Sequence, residues 1–362
     1  MGAEPDPALR QLLVPRIAKL SLVFVALAIP SAAVLGTLVA GRGAASATER
    51  GAVAKDKSVV LAFGGDVHFE GVLESKLASG PEGLLAPIAP VLDEADLAIV
   101  NLETAVTNGG APAAKQFVFS APPDAFTALR GGGVDIASMA NNHGLDFGEA
   151  GLRDSLAAAR RARLPVIGIG LDSKRAYRPF RRKINGQRIA IIGATQVLDD
   201  HLISAWTAGP GKPGLASAKD VPRLLQEVRV ARRTSDTVVV FLHWGVELAQ
   251  CPTTDQRTLA KQLVDAGADV VVGGHAHRLL GAGRMGKALV GYGLGNFVWY
   301  GTSALSTQTG VLFVTVTGRK VNDYRWVPAR IVDGVPRALS GSERRRQLTS
   351  WRSLRACTGL KP

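Results

Sequence analysis

Five apolar, largely β-branched runs punctuate the chain, and each breaks off into polar residues. Val59 to Phe63 gives way to Asp66 and His68, and Leu97 to Val100 to Asn101 and Glu103. Ile136 to Ala140 leads to Asn141, Asn142 and His143, Val238 to Leu242 to His243, and Val270 to Val272 to Gly273-Gly274-His275-Ala276-His277. Runs without polar alternation predict strands covered on both faces. Ala150 to Arg163 and Asp255 to Ala266 carry apolar residues at helical spacing and predict helices between them. Strands alternating with helices predict an α/β sheet, whose strand carboxyl ends open on one crevice. Polar clusters remote in sequence are thereby expected to converge.

The N-terminal pattern differs. Leu20 to Ala40 is uncharged and follows Arg10, Arg16 and Lys19, with only Arg42 soon after it. That predicts a single-pass anchor with residues 1–19 in the cytoplasm and the remainder outside the cell membrane. A signal peptide cleaved near Ala45-Ser46-Ala47, giving a secreted protein, is the alternative, although its apolar region normally runs only about 7 to 15 residues. Residues 41–57 are small and polar and read as a linker. One domain is expected over 58–335, and a basic tail over 336–362.

The 362-residue chain is 46% hydrophobic, enough for a sizeable core, and carries a net charge of +13. Clusters such as Arg181-Arg182-Lys183, Arg232-Arg233 and Arg344-Arg345-Arg346 suit an anionic partner. No aromatic or glycine-rich nucleic-acid motif accompanies them, so nucleic acid is set aside in favour of a teichoic-type anionic envelope polymer, an acidic lipid or an acidic polypeptide, with simple solubility ahead of all three. In an oxidising compartment the two cysteines, Cys251 and Cys357, are candidates for a bond tying the basic tail to the domain. Free thiols are the alternative, since spacing cannot show that their Cα atoms approach.

Five of the six histidines fall in the polar clusters, and only His201 lies elsewhere. Imidazoles with Asp, Glu and Asn oxygens suit divalent first-row metals, and two such ions can clamp the attacking and leaving oxygens of a displacement. Asp66, His68, Glu103, Asn142, His243, His275 and His277 supply enough ligands for a pair, with Mn, Fe, Zn and Co all compatible. His143 remains as a proton donor that Asp146 orients. Gly64-Gly65 and Gly273-Gly274 let the backbone pass close to a crowded centre. Asn296 and Glu247 are candidates for touching substrate. The alternatives are a turn or cap role for Asn296, and a histidine-orienting or helix-starting role for Glu247.

Taken in order, GGDVHFE, NLETAV, NNHGLDFG, HWGVE, GGHAHR and GLGNF resemble the CapA family of bacterial capsule and poly-γ-glutamate synthesis proteins, within the calcineurin-like metallophosphatase group. The resemblance covers about residues 58 to 335. It implies a two-sheet sandwich flanked by helices (αββα) with a dinuclear metal site at the strand ends. Asp66, His68 and His277 would hold one ion and Asn142, His243 and His275 the other, with Glu103 as the bridging acid and His143 as the catalytic acid. Two departures stand out. Glu103 replaces the usual Asp, and Gly144 stands where the histidine's neighbouring acid normally does.

Two functions are compatible with these residues. One is a metal-dependent hydrolase or transferase acting on an anionic envelope polymer. The other is a non-catalytic accessory component of a membrane polymer synthase; a phosphoesterase with another substrate is a variant of the first.

Overall fold

Residues 57–362 are described by the structure, a computed structural model. The expected membrane segment at Leu20 to Ala40 and nearly all of the linker lie outside the described residues. Among the described residues no helix is long and apolar enough to cross a membrane.

The apolar runs form two mixed sheets. In the first, β1 (Val59–Val67), β2 (Leu97–Leu102), β3 (Ile136–Ser138) and β4 (Val166–Ile167) are successive parallel neighbours. In the second, β5 (Phe180–Ile184) runs antiparallel at one edge to β6 (Gln187–Thr195), which is followed by parallel β7 (Thr237–His243) and β8 (Val270–Gly274). β9 (Ala282–Met285) and β10 (Ala288–Gly291) complete that sheet. The first sheet gains β11 (Asn296–Val298) against the end of β1. It continues with antiparallel β12 (Gln308–Thr317), β13 (Lys320–Val332) and β14 (Val335–Ala338), so that β1 sits between β2 and β12.

Both faces of each sheet are covered, which is why the runs show no alternation. Leu61, Phe63, Ile99 and Leu312 from one sheet meet Ile191, Val239, Phe241 and Val272 from the other. On the outer face of the first sheet pack α1 (Val72–Ser79), α2 (Asp124–Gly131) and α3 (Gly148–Ala162), through Leu73, Phe126, Leu129 and Leu152. The second sheet's outer face is covered by α4 (Val221–Thr234) and α5 (Thr254–Ala266), through Leu224, Val228, Leu259 and Leu263. Helix, sheet, sheet and helix layers follow one another. The last of these helices starts at a capping box between Thr253 and Gln256 and stops at Gly267, whose φ of 115° is left-handed.

One expectation needs correction. Residues 336–362 are not a tail but part of the domain, and the compact unit runs to Pro362. Ser340 precedes α6 (Gly341–Ser353), whose Trp351 stacks on Trp326 of β13 at 5.2 Å and 3°. Leu348 and Leu354 join the inter-sheet core beside it. Basic residues on the exposed side had masked a three-residue apolar spacing that seats the helix.

Candidate metal centre

All five polar clusters lie at the carboxyl ends of parallel strands: Asp66 at the penultimate position of β1 and His68 just after it, Glu103 after β2, Asn142 and His143 after β3, His243 ending β7, and His275 and His277 after β8. Register lines them up. Asp66 pairs with Asn101 across the first sheet, and His243 with Gly274 across the second. Gly274 leaves room for the carboxylate, since a Cβ there would strike Asp66 Oδ1. The bend after β8 is carried instead by the histidines: His275 and His277 have φ of 92° and 52°, a conformation uncommon for side chains of this kind.

Buried polar residues hold the cluster in place. Asn101 Nδ2 donates to Asp66 Oδ1 at 2.8 Å and lies 3.1 Å from His243 Nδ1, while Asn141 Nδ2 donates to Asn101 Oδ1 at 3.0 Å. The backbone N–H of His275 donates to Asp66 Oδ2 at 3.0 Å. His277 Nδ1 lies 2.9 Å from Asn296 Oδ1 and 3.5 Å from Asp66 Oδ2. His243 Nε2 is 2.7 Å from Asn142 Oδ1 and 3.3 Å from Glu103 Oε1.

Four buried ligand atoms have no hydrogen-bond partner among the described residues: both carboxylate oxygens of Glu103 and Nδ1 of His68 and of His275. Polar atoms so placed are costly unless something else satisfies them. Candidate ligand atoms fall into two groups, Glu103 with His275 and His277, and Asp66 with Glu103 and His243, each within 4.8 Å. Glu103 is common to both. The donor set therefore fits a cation pair sharing that acid. Pairs expected from sequence are adjacent as well, Asp66 with His277 at 3.5 Å and Asn142 with His243 at 2.7 Å, and Asn101 bridges Asp66 and His243. His68 belongs to neither group; its ring is held among Phe119, Trp299 and Tyr300 at 4.9, 4.0 and 4.7 Å.

Electrostatics within the centre run in opposite directions. Burial, with the nearby Asp66 charge, pushes the Glu103 carboxyl up to about 8. Burial pulls the other way on His277, but the Glu103 and Asp66 carboxylates overcome it and raise the imidazole to about 9. Asp66 is held below its ordinary range: burial works to raise it, and His277, His243 and the His275 N–H together outweigh that. His68 and His243 are lowered to about 3 and His275 to about 2, chiefly by burial.

His143 stands beside this cluster. Its Nδ1 lies 2.6 Å from Asp146 Oδ2, and its ring stacks on Phe119 at 4.0 Å. Asp146 in turn accepts from the Phe119 N–H at 2.6 Å and from Lys115 Nζ at 3.0 Å. Lys115, which the sequence did not single out, has a 5% exposed side chain. It also bonds the Asn142 carbonyl and lies over the Trp206 ring at 5.3 Å. Its segment has no strand or motif to announce it. Trp299 and Tyr300 directly follow GLGNFV and were equally unmarked.

The two expected substrate contacts flank the centre, Asn296 against His277 and Glu247 close enough for its charge to act on Glu103 and His243. Asn296 is fully buried behind His277, its Nδ2 donating to Ser306 O at 3.0 Å, so its polar atoms are engaged within the protein. Glu247 lies exposed in a turn after β7 rather than at a helix start, with no hydrogen bond of its own among the described residues. Cys251 and Cys357 are bonded, with Cα atoms 5.8 Å apart.

Fold and site define an α/β protein that gathers His, Asp and Glu at the ends of parallel strands from two sheets, able to hold metal. A family profile described as "Bacterial capsule synthesis protein PGA_cap" matches residues 60–300, and the chain belongs to that family. It is 31% identical over 285 residues to the capsule biosynthesis protein CapA of Bacillus anthracis, covering 75% of this chain and 67% of that one. The PGA biosynthesis protein CapA of Bacillus subtilis (strain 168) is 30% identical over 251 residues, 67% of this chain and 64% of its own. A Mycobacterium tuberculosis protein named for an accessory part in polyglutamine synthesis is 30% identical over 239 residues, with 61% and 62% covered. The chain thus spans about two thirds of the length of these curated relatives.

Proposed function

We propose that the protein is a membrane-anchored, extracytoplasmic, dinuclear metal-dependent hydrolase or transferase working in synthesis or processing of an anionic envelope polymer. The observation that carries this reading is the orphaned set of buried ligand atoms around Glu103. A vestigial centre has no need to keep such a costly arrangement. Asp66, Glu103, His243, His275 and His277 would hold the ions, with His68 and Asn142 beside them. When bound, the pair would polarise the phosphoryl or acyl oxygen of the scissile bond. His143, fixed through Nδ1 by Asp146, keeps Nε2 to give a proton to the leaving group. The anchor before Gly41 would hold this chemistry at the outer membrane surface, where polymer emerges.

The relatives' names favour a second reading, a non-catalytic accessory to a polymer synthase. His143→Ala and Asp66→Ala separate the two. Asp66→Ala should lower metal content and stability together. His143→Ala should keep metal and fold while slowing turnover by about 100-fold or more, the scale of one general acid. A His143→Ala protein that accumulates normally, keeps its metals and fully restores the envelope of a deletion strain would favour the accessory reading.

A further inference from the structure

A recess among the described residues lies away from the metal centre and shares no residue with it. It has a volume of about 660 Å³ and sits where the end of α3 and β4 face the segment leading into edge strand β5. Five arginines line it, Arg160, Arg163, Arg175, Arg178 and Arg181, and no acid does. Leu164, Ile169 and Phe180 supply apolar surface between them. A second recess of about 460 Å³ continues from it, sharing Arg163 and Arg181 and adding Arg130 and Arg182 with a single acid, Asp135.

Three of these arginines have local reasons to be basic. Arg160 ends a helix, where cations complement the dipole, and Arg181 and Arg182 lie on an edge strand, where charge discourages unwanted pairing. Neither reason makes them converge on one recess. All five arginines of the first recess are exposed, and Arg160, Arg163 and Arg178 make no side-chain hydrogen bond or ion pair among the described residues. Arg175 is paired with Asp172 and Arg181 reaches only Thr234 and Ser235 hydroxyls.

We infer that this track docks a linear polycarboxylate chain. Guanidinium groups meet carboxylates in planar, two-bonded pairs, and aliphatic surface between the arginines suits the methylene segments between charges. Base stacking would need more rings than Phe180 alone. A recess at the seam between two sheets is also poorly shaped for a flat lipid surface. The inference deepens the proposed function, on which it rests for the anionic polymer, and sets polymer recognition apart from the reacting centre.

The test is binding of a labelled γ-linked glutamate decamer to the full-length, metal-loaded protein by fluorescence anisotropy. Combining Arg160→Ala, Arg178→Ala and Arg181→Ala should weaken binding about tenfold or more. Combining Arg344→Ala, Arg345→Ala and Arg346→Ala on exposed α6 removes the same charge and should leave it unchanged. Unchanged melting temperatures establish that both variants are folded. Equal losses in the two variants would make net charge the cause and overturn the track. So would preferential binding of polyphosphate or anionic vesicles with no retention of the decamer. Turnover distinguishes the two readings: loss of activity in His143→Ala with normal binding by the Arg160 variant removes the track and keeps the catalytic centre. Specific decamer binding by a protein that takes up no metal does the reverse.

Discussion

At the scale of single residues, the acid common to both ligand groups and one of its histidines both hold protons near neutrality. Glu103 is raised to about 8 and His277 to about 9 in the metal-free fold. A cation needs both deprotonated, so uptake near pH 7 should release protons and affinity should rise between pH 6 and 9. Calorimetry in buffers of different ionisation enthalpy measures that release; no buffer dependence would refute it. The sign for stability is opposite. His277 sits above its ordinary value of 6.5, so its contribution to the metal-free fold is complete below about 6.5 and is lost as pH climbs through about 9. Lys115 offers a second residue-level prediction. Lys115→Met strips Asp146 of one buried charged partner and should cost about 1 to 3 kcal/mol, read by urea unfolding. It should also lower turnover while sparing metal content, since Lys115 reaches Asn142 through that residue's main-chain carbonyl rather than its side chain. The sequence showed Asp66, His68, Glu103 and the later histidines because each directly follows a strand-forming run. Lys115 and Phe119 come from a segment whose conformation depends on Asp146, and nothing local announces that dependence.

At the scale of elements, boundaries were legible wherever local chemistry sets them. The helix expected over Ala150 to Arg163 is observed as Gly148–Ala162, and the one over Asp255 to Ala266 as Thr254–Ala266. α6 was not legible, because basic residues mask the Leu348, Trp351 and Leu354 spacing and its anchor is a tryptophan 25 positions earlier in the chain. Trp351→Ala should therefore undock the helix and cost about 3 to 5 kcal/mol, the usual range for emptying a buried aromatic site. Denaturant unfolding followed by tryptophan fluorescence tests it, and a loss under 1 kcal/mol would mean that the basic face, not the stack, holds α6.

At the scale of the whole molecule, the Cys251–Cys357 bond closes a loop of 106 residues between the segment leading into α5 and the chain's last turn. In the chain-entropy picture a closure of this length stabilises by about 4 to 5 kcal/mol. Cys357→Ser should lower the thermal midpoint accordingly, and an unchanged midpoint would show that α6 and its stack suffice without the bond. Order in space and order along the chain disagree most at β1. Its neighbour β2 follows within forty residues, but β12 begins only at Gln308. A polypeptide emerging from its N-terminal end keeps its first strand half-paired, with Leu61 and Phe63 uncovered, until the domain is nearly complete. Folding then closes late and over a long span, a slow topology that leaves sticky intermediates in its wake. Refolding yield should accordingly fall as protein concentration rises, read by the soluble fraction after dilution from denaturant.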